Sequence, residues 1–436
     1  MSTIQKIKAQ FNPQVIVTNQ GGDISVDGGL LLIKEFFHNI RLTDRVKHFI
    51  PFTQKRSNAD HSNESLFESA LFQYFGGYFQ DISQNVLRHD PALKILLEKD
   101  TLPSQPTFSR FWNSLDDRVL QGMTHLIDFF NETARTKRQQ TEWIIDLDST
   151  HLDTFGDQEM TDYNAHYQTT GYHPLVAFDG ISGDFLKATL RPGNDYTSTD
   201  AVAFLLPLFE QFKTSPTLTQ CLLRGDSGFA TPKIYNQCDV DNVDFIIRLK
   251  ANARLKRFAE QALPNVESED YTHSRTVYFD FDYQAGTWDR PQRVCVQAIR
   301  PADELFYRYT FITTSLIKVP VQSVIKAYQR RGTMENYIKE AKYGFMMGKT
   351  DHSTFQANQA RLVMSQLAYT LIQCFKTGCL PKASVKCQMT TLRHQAFKVG
   401  VRIVRHARQV FYHLSTSHVY YKEFFAIYER VQHFRL

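Results

Sequence analysis

Three acidic residues stand where chain elements should end, and together they suggest chemistry. Asp148 closes the apolar stretch Glu142–Thr150 (EWIIDLDST), and Asp226 follows Gln220–Arg224 (QCLLR). Glu335 lies in a third segment, YQRRGTMENYIKEAK, from Tyr328 to Lys342. Gathered carboxylates repel one another and are costly to desolvate unless hard cations neutralise them. Mg²⁺ prefers oxygen ligands, and two such ions can activate water and stabilise the leaving oxygen of a phosphodiester. Side chains alternate along a strand, so Asp146 and Asp148 share a face about 7 Å apart. Asp148 is nearer the open end and is the expected first ligand, with Asp146 the alternative. Taken singly, each acid could equally end a strand or cap a helix.

The third segment is the most specific. Tyr328, Arg331, Glu335, Lys339 and Lys342 recur at i, i+3, i+7, i+11 and i+14, one stripe of a continuous helix. Aromatic, cation, acid and two further cations do not form a core. They suit a phosphate backbone laid along the helix, with Arg330 adding charge beside them. A solvated face with ordinary salt bridges, Glu335 to Lys339 among them, is the competing reading.

The elements that must position these residues follow from periodicity. Residues 1–140 read as a mostly helical region after an extended start at Val15–Thr18, with apolar residues at three- and four-residue spacings. Thr107 is the expected cap of a helix carrying Arg110. Strands are expected at Glu142–Thr150, Pro174–Asp179 and Asp184–Arg191. A helix at Ala201–Lys213, a strand at Gln220–Arg224, a helix near Pro232–Cys238 and a strand at Asp244–Lys250 follow. Residues 255–315 alternate in period two and read as a small all-β insertion. A long helix is expected from Val321 through Arg330, Glu335 and Lys342. The expected fold class is therefore α+β: a catalytic core over 141–254 and 316–350, the insertion at 255–315, and a basic helical region at 351–436.

Composition narrows the classes. The chain has 436 residues, of which 42% are hydrophobic and 22% charged, enough apolar mass for packed domains. No apolar run reaches the roughly 18 residues of a membrane helix, and the polar start MSTIQKIKAQFNPQ lacks a signal peptide's apolar core. Six cysteines without a C-x-x-C pair favour a reduced, cytoplasmic setting without structural zinc, with Cys374, Cys379 and Cys387 expected as buried thiols. The histidines read as packing or surface residues. Residues 320–436 carry 18 Lys and Arg against 5 Asp and Glu, whereas residues 1–319 carry 32 against 40. A basic quarter on an acidic body suits a polyanionic partner. Arg393, Lys398, Arg402, Arg405 and Arg408 fall in an expected C-terminal helix, Arg393–Arg408, with the last three as a basic ridge.

The spacing Y-x2-R-x3-E-x6-K, met by Tyr328, Arg331, Glu335 and Lys342, resembles the signature of a large group of insertion-sequence DDE transposases. Leu147-Asp148-Ser149-Thr150 looks like that group's first-aspartate motif and Leu223-Arg224-Gly225-Asp226-Ser227-Gly228-Phe229 like its second. Leu190–Asn194 (LRPGN) and Leu102–Arg110 (LPSQPTFSR) also recur in it, so the likeness runs from about residue 60 to 345. The resemblance implies a ribonuclease-H-like mixed sheet with a β insertion between the second Asp and the Glu. It implies that Asp148, Asp226 and Glu335 bind two Mg²⁺ ions, with Mn²⁺ as a substitute. Arg331 and Lys342 would contact DNA phosphates, and Tyr328 would line the same path; Arg330 and Lys339 come from the charge stripe alone. The implied partners are double-stranded DNA, as terminal inverted repeats and as target, and a second copy of the chain. Strand cleavage and transfer follow, the alternatives being a metal-dependent nuclease without transfer and a domesticated DNA-binding protein.

Overall fold

A computed structural model describes residues 4–52, 60–264 and 270–436. Its strands in chain order are β1 (Lys6–Lys8), β2 (Ile16–Thr18), β3 (Asp23–Ser25), β4 (Glu142–Ser149), β5 (Leu152–Asp153), β6 (Asp162–Asn164), β7 (Thr169–Tyr172) and β8 (Leu175–Asp179). They continue as β9 (Phe185–Thr189), β10 (Gln220–Gly225), β11 (Asp244–Leu249), β12 (Arg275–Tyr283), β13 (Gln292–Arg300), β14 (Arg308–Thr314), β15 (Val401–His406) and β16 (Gln409–Leu414). Contacts divide the chain into two units, one of residues 1–122, 344–346 and 371–436, the other of residues 123–343 and 347–370.

The second unit is built on a mixed eight-stranded sheet in the order β12-β13-β14-β11-β10-β4-β8-β9. β10 runs parallel to both β4 and β11, and the remaining neighbours are antiparallel. Alternation along β4 sends Trp143, Ile145 and Leu147 to one face. There they pack with Leu223, Phe245 and Ile247, and with Phe204, Leu205, Ile234 and Tyr235 from the helices Ala201–Thr214 and Pro232–Val240. The opposite face is covered by Val324 and Ile325 of the helix Val321–Gln329, which meet Ile246, Cys295 and Ile312. Asp146 and Asp148 belong to that second face.

Three differences from the sequence reading have physical causes. The strands expected as a separate insertion extend the main sheet, with β14 pairing β11 and Val294, Val296 and Phe311 entering its core. Period-two patterning reports a strand but not its neighbour. A small sheet of order β5-β7-β6 also intervenes between β4 and β8. The long helix from Val321 is interrupted by a 3₁₀ turn at Arg330–Gly332 before the helix Thr333–Gly344.

In the first unit, helices include Leu31–Asn39, Leu42–Phe49, Asn63–Gly76, Gln105–Asn113 and Tyr421–His433. The Gln105 helix is preceded by Ser104 rather than Thr107 at its cap, with Pro106 in its first turn and Arg110 exposed. The expected helix Arg393–Arg408 is not one. A π-helical turn, Arg393–Phe397, leads to Gly400 and then into the hairpin β15–β16, where Val401, Ile403 and Val404 supply the β-branched residues that favour a strand. Cys374 and Cys379 are buried and Cys387 is half-buried. No helix among the described residues is long and apolar enough to cross a membrane.

Candidate active site

Parallel pairing of β4 with β10 sets Arg224 beside Asp146 and Gly225 beside Leu147. One residue further along the same register, Asp226 falls opposite Asp148, at the ends where the chain leaves the sheet. Both line a cavity of about 890 Å³ in the second unit. Each carboxylate is oriented by backbone. The Ser149 N–H donates to Asp148 Oδ1 at 2.9 Å, and the Gly228 N–H donates to Asp226 Oδ1 at 2.9 Å, so Asp226 caps the turn Ser227–Phe229. Burial pushes the Asp148 carboxyl above its ordinary range; Arg331 opposes this and the charge of Asp226 adds to it.

Asp146 has a different role. It is fully buried, and Arg224 grips it with two hydrogen bonds, Nε to Oδ1 at 2.6 Å and Nη2 to Oδ2 at 2.7 Å. Arg224 Nη1 donates to the Ala327 carbonyl at 2.7 Å, tying both strands to the covering helix. Asp146 does not line the cavity, whereas Asp148 does.

Arg331 sits beside Asp148, not on an outer helix face. Only 9% exposed, it donates from Nη2 to the Leu147 carbonyl at 2.8 Å and lies 3.1 Å from Asp148 Oδ2. Burial lowers its pKa, but Asp148, Tyr328 and Asp226 outweigh that and raise it, so the guanidinium stays charged. Tyr328 is half-buried within the influence of Arg331, Arg248 and Asp226, and burial raises its phenol pKa. Lys342 donates to the His151 carbonyl at 2.8 Å, and burial lowers its ammonium pKa. Arg330, Glu335 and Lys339 are exposed. Glu335 does not line the cavity, and among the described residues no three His, Cys, Asp or Glu side chains form a metal-binding group.

Sequence reasoning gave no role to the cavity's far wall. Tyr163, Tyr167 and Tyr196 line it with exposed rings, and Arg248 and Lys250 of the β11 end add positive charge. Arg191, from the LRPGN motif, is buried behind this wall. Its Nε donates to the His173 carbonyl at 2.9 Å, and its Nη1 reaches the carbonyls of Tyr196, Thr197 and Thr199 at 3.2, 3.3 and 2.6 Å. The motif was visible as a resemblance, but its purpose depends on backbone atoms that a sequence does not display.

The family model described as "Transposase DDE domain group 1" matches residues 7–436. The chain belongs to the DDE transposases. Such a chain is an enzyme of the class that cleaves and transfers nucleic acid, and transposition is its reaction. Among solved structures, a piggyBac transposase synaptic complex with hairpin DNA is similar at 13% identity and a TM-score of 0.45, over 87% of this chain and 81% of that one. No curated protein matches the sequence.

Proposed function

We propose that this transposase binds the terminal inverted repeats of its own element as a homodimer, nicks one strand at each end, and transfers the freed 3′-OH to target DNA. The observation that carries this reading is the pair Asp148 and Asp226, presented together at adjacent parallel strand ends into one open cavity. The donor set suits Mg²⁺: two hard carboxylates face each other's charge, and burial already penalises Asp148. Asp148 and Asp226 would hold the metal, with Glu335 as third ligand by its place in the signature. Bound there, Mg²⁺ (or Mn²⁺) supplies an activated water and charge neutralisation at the leaving oxygen.

The protein's own groups prepare this site. The Ser149 and Gly228 amides fix the carboxylates, and Arg331 supplies positive charge against Asp148. Arg248 and Lys250 offer phosphate contacts across the cavity, and Tyr328 stands beside Asp226. Arg330, Lys339 and Lys342 contribute further charge to the DNA path. Residues 141–254 and 316–350 form the catalytic core in this reading, ribonuclease-H-like in its acid-bearing parallel strands. Residues 1–140 take part in repeat binding.

The test is a labelled duplex of the element's end incubated with purified protein and Mg²⁺, with Glu335→Gln and Asp148→Asn in parallel. Nicking at the element boundary by the wild type, with binding but no cutting by both variants, supports the assignment. Full cutting by Glu335→Gln removes Glu335 from the site. The exposed position of Glu335 favours one rival, a DNA-binding protein without cleavage, and binding without cutting in every form selects it. Cut ends that never join to target select a nuclease.

A further inference from the structure

The hairpin β15–β16 carries three arginines, two histidines and no acidic residue between Val401 and Leu414. Its register assigns every side chain to a face. Val401, Ile403, Tyr412 and Leu414 pack onto Ala92 and Ile95. The other face presents the opposed pairs Arg402 with His413, Val404 with Phe411 and His406 with Gln409, and Ile24 of β3 lies next to Arg402. Arg402, His406, Phe411, His413 and Ile24 are exposed, and the Phe411 and His413 rings stack at 5.9 Å with planes 7° apart. Among the described residues, no carboxylate is paired with Arg402, Arg405 or Arg408.

The turn adds an independent observation. β3 pairs only with Val401–Ile403, so the chain from Val404 to Phe411 projects as a two-stranded ribbon. At its tip Ala407 and Arg408 both adopt left-handed backbone, with φ of 48° and 63°. Two-residue turns of this type favour Asn-Gly, since side chains other than Asn, Asp and Gly are strained there. An arginine is thus held at the outermost point of a ribbon in a conformation that disfavours it.

We propose that the outer face and tip of this hairpin bind the backbone of duplex DNA, with Arg402 and Arg408 on phosphates and Phe411 against the sugar edge. This rests on the transposase reading for its choice of polyanion. The charge supports it: an acid-free ribbon lies in a segment with 18 basic against 5 acidic residues. A two-stranded ribbon also has the width that a major groove admits.

Anisotropy titrations of a short labelled duplex across salt concentrations test it, with full-length wild type, Arg408→Gly and Arg402→Gln/Arg408→Gly. Each lost phosphate contact should flatten the slope of log affinity against log salt by about 0.9 and weaken binding about fivefold near 0.15 M salt. Arg408→Gly relieves the left-handed strain, so its Tm should stay equal or rise while affinity falls. A misfolded variant cannot produce that combination. Unchanged slopes in both variants, with a wild type that binds, overturn the hairpin assignment alone. A changed oligomeric state at constant DNA affinity also overturns it, marking the face as a contact between copies. A wild type that binds no duplex overturns the functional reading and this one together.

Discussion

Breaking the Arg224–Asp146 pair should cost more than any exposed ion pair in the molecule. Both side chains are essentially inaccessible, and three short hydrogen bonds saturate the guanidinium's contacts to Asp146 and to Ala327. Arg224→Met leaves the Asp146 carboxylate buried without a partner, a loss of about 3–5 kcal/mol. Asp146→Asn keeps the shape but strands the guanidinium, with a loss of similar order. The double variant removes both charges, so its cost should fall at least about 2 kcal/mol short of the summed singles. Trp143, buried on the same strand as Asp146, is a fluorescence probe for urea unfolding of this sheet. The reasoning fails if Arg224→Met costs less than about 1 kcal/mol, or if the two losses simply add. A further expectation concerns catalysis: because the pair sets the strand that delivers Asp148, Arg224→Met should cut DNA slowly even at temperatures where it remains folded.

Burial holds the Asp128 carboxyl above the usual carboxylate range, at about 6. A raised carboxylate favours the folded state below the unfolded pKa, and that contribution is lost as pH rises through about 6. Asp128→Asn should therefore stabilise the protein by about 2–3 kcal/mol at pH 8 and hardly at all at pH 4, and thermal melts across that range would show it. Arg191→Gln should leave carbonyls of the 196–199 loop unpaired at about 1–3 kcal/mol and open that loop to protease, while metal-dependent nicking slows. Resistance to proteolysis equal to that of the wild type would refute the clamp.

What the residues disclosed in advance depended on whether the information was local. The strands bearing Asp148 and Asp226 were legible because short β-branched runs ending in polar turns have few alternatives. The order of three sheet strands, helix, strand, helix and strand was legible for the same reason. The division between Asp146 and Asp148 was not, since it turns on Arg224, 78 residues away in sequence and adjacent only through parallel pairing. The strands β12–β14 were legible but not their pairing with β11, since alternation does not name a strand's neighbour, and the C-terminal hairpin was missed because strand and helical spacings overlap in a segment as short as VRIVRH.

The signature segment spans two helices rather than one. Spacing over an unbroken α-helix places Tyr328, Arg331, Glu335 and Lys342 on one stripe. The 3₁₀ turn at Arg330–Gly332 advances about 120° per residue instead of 100°, a drift of about 60° over three residues. Gly332, the residue most tolerant of such a change, sits inside it. Arg331 lies inward beside Asp148, Lys342 donates to the His151 carbonyl, and Glu335 is exposed. Burial and the charge of Asp226 disfavour the Asp148 carboxylate, and the guanidinium of Arg331 beside it opposes both. The sequence spacing therefore describes the stripe of an unbroken helix, which this chain interrupts with a 3₁₀ turn at Arg330–Gly332.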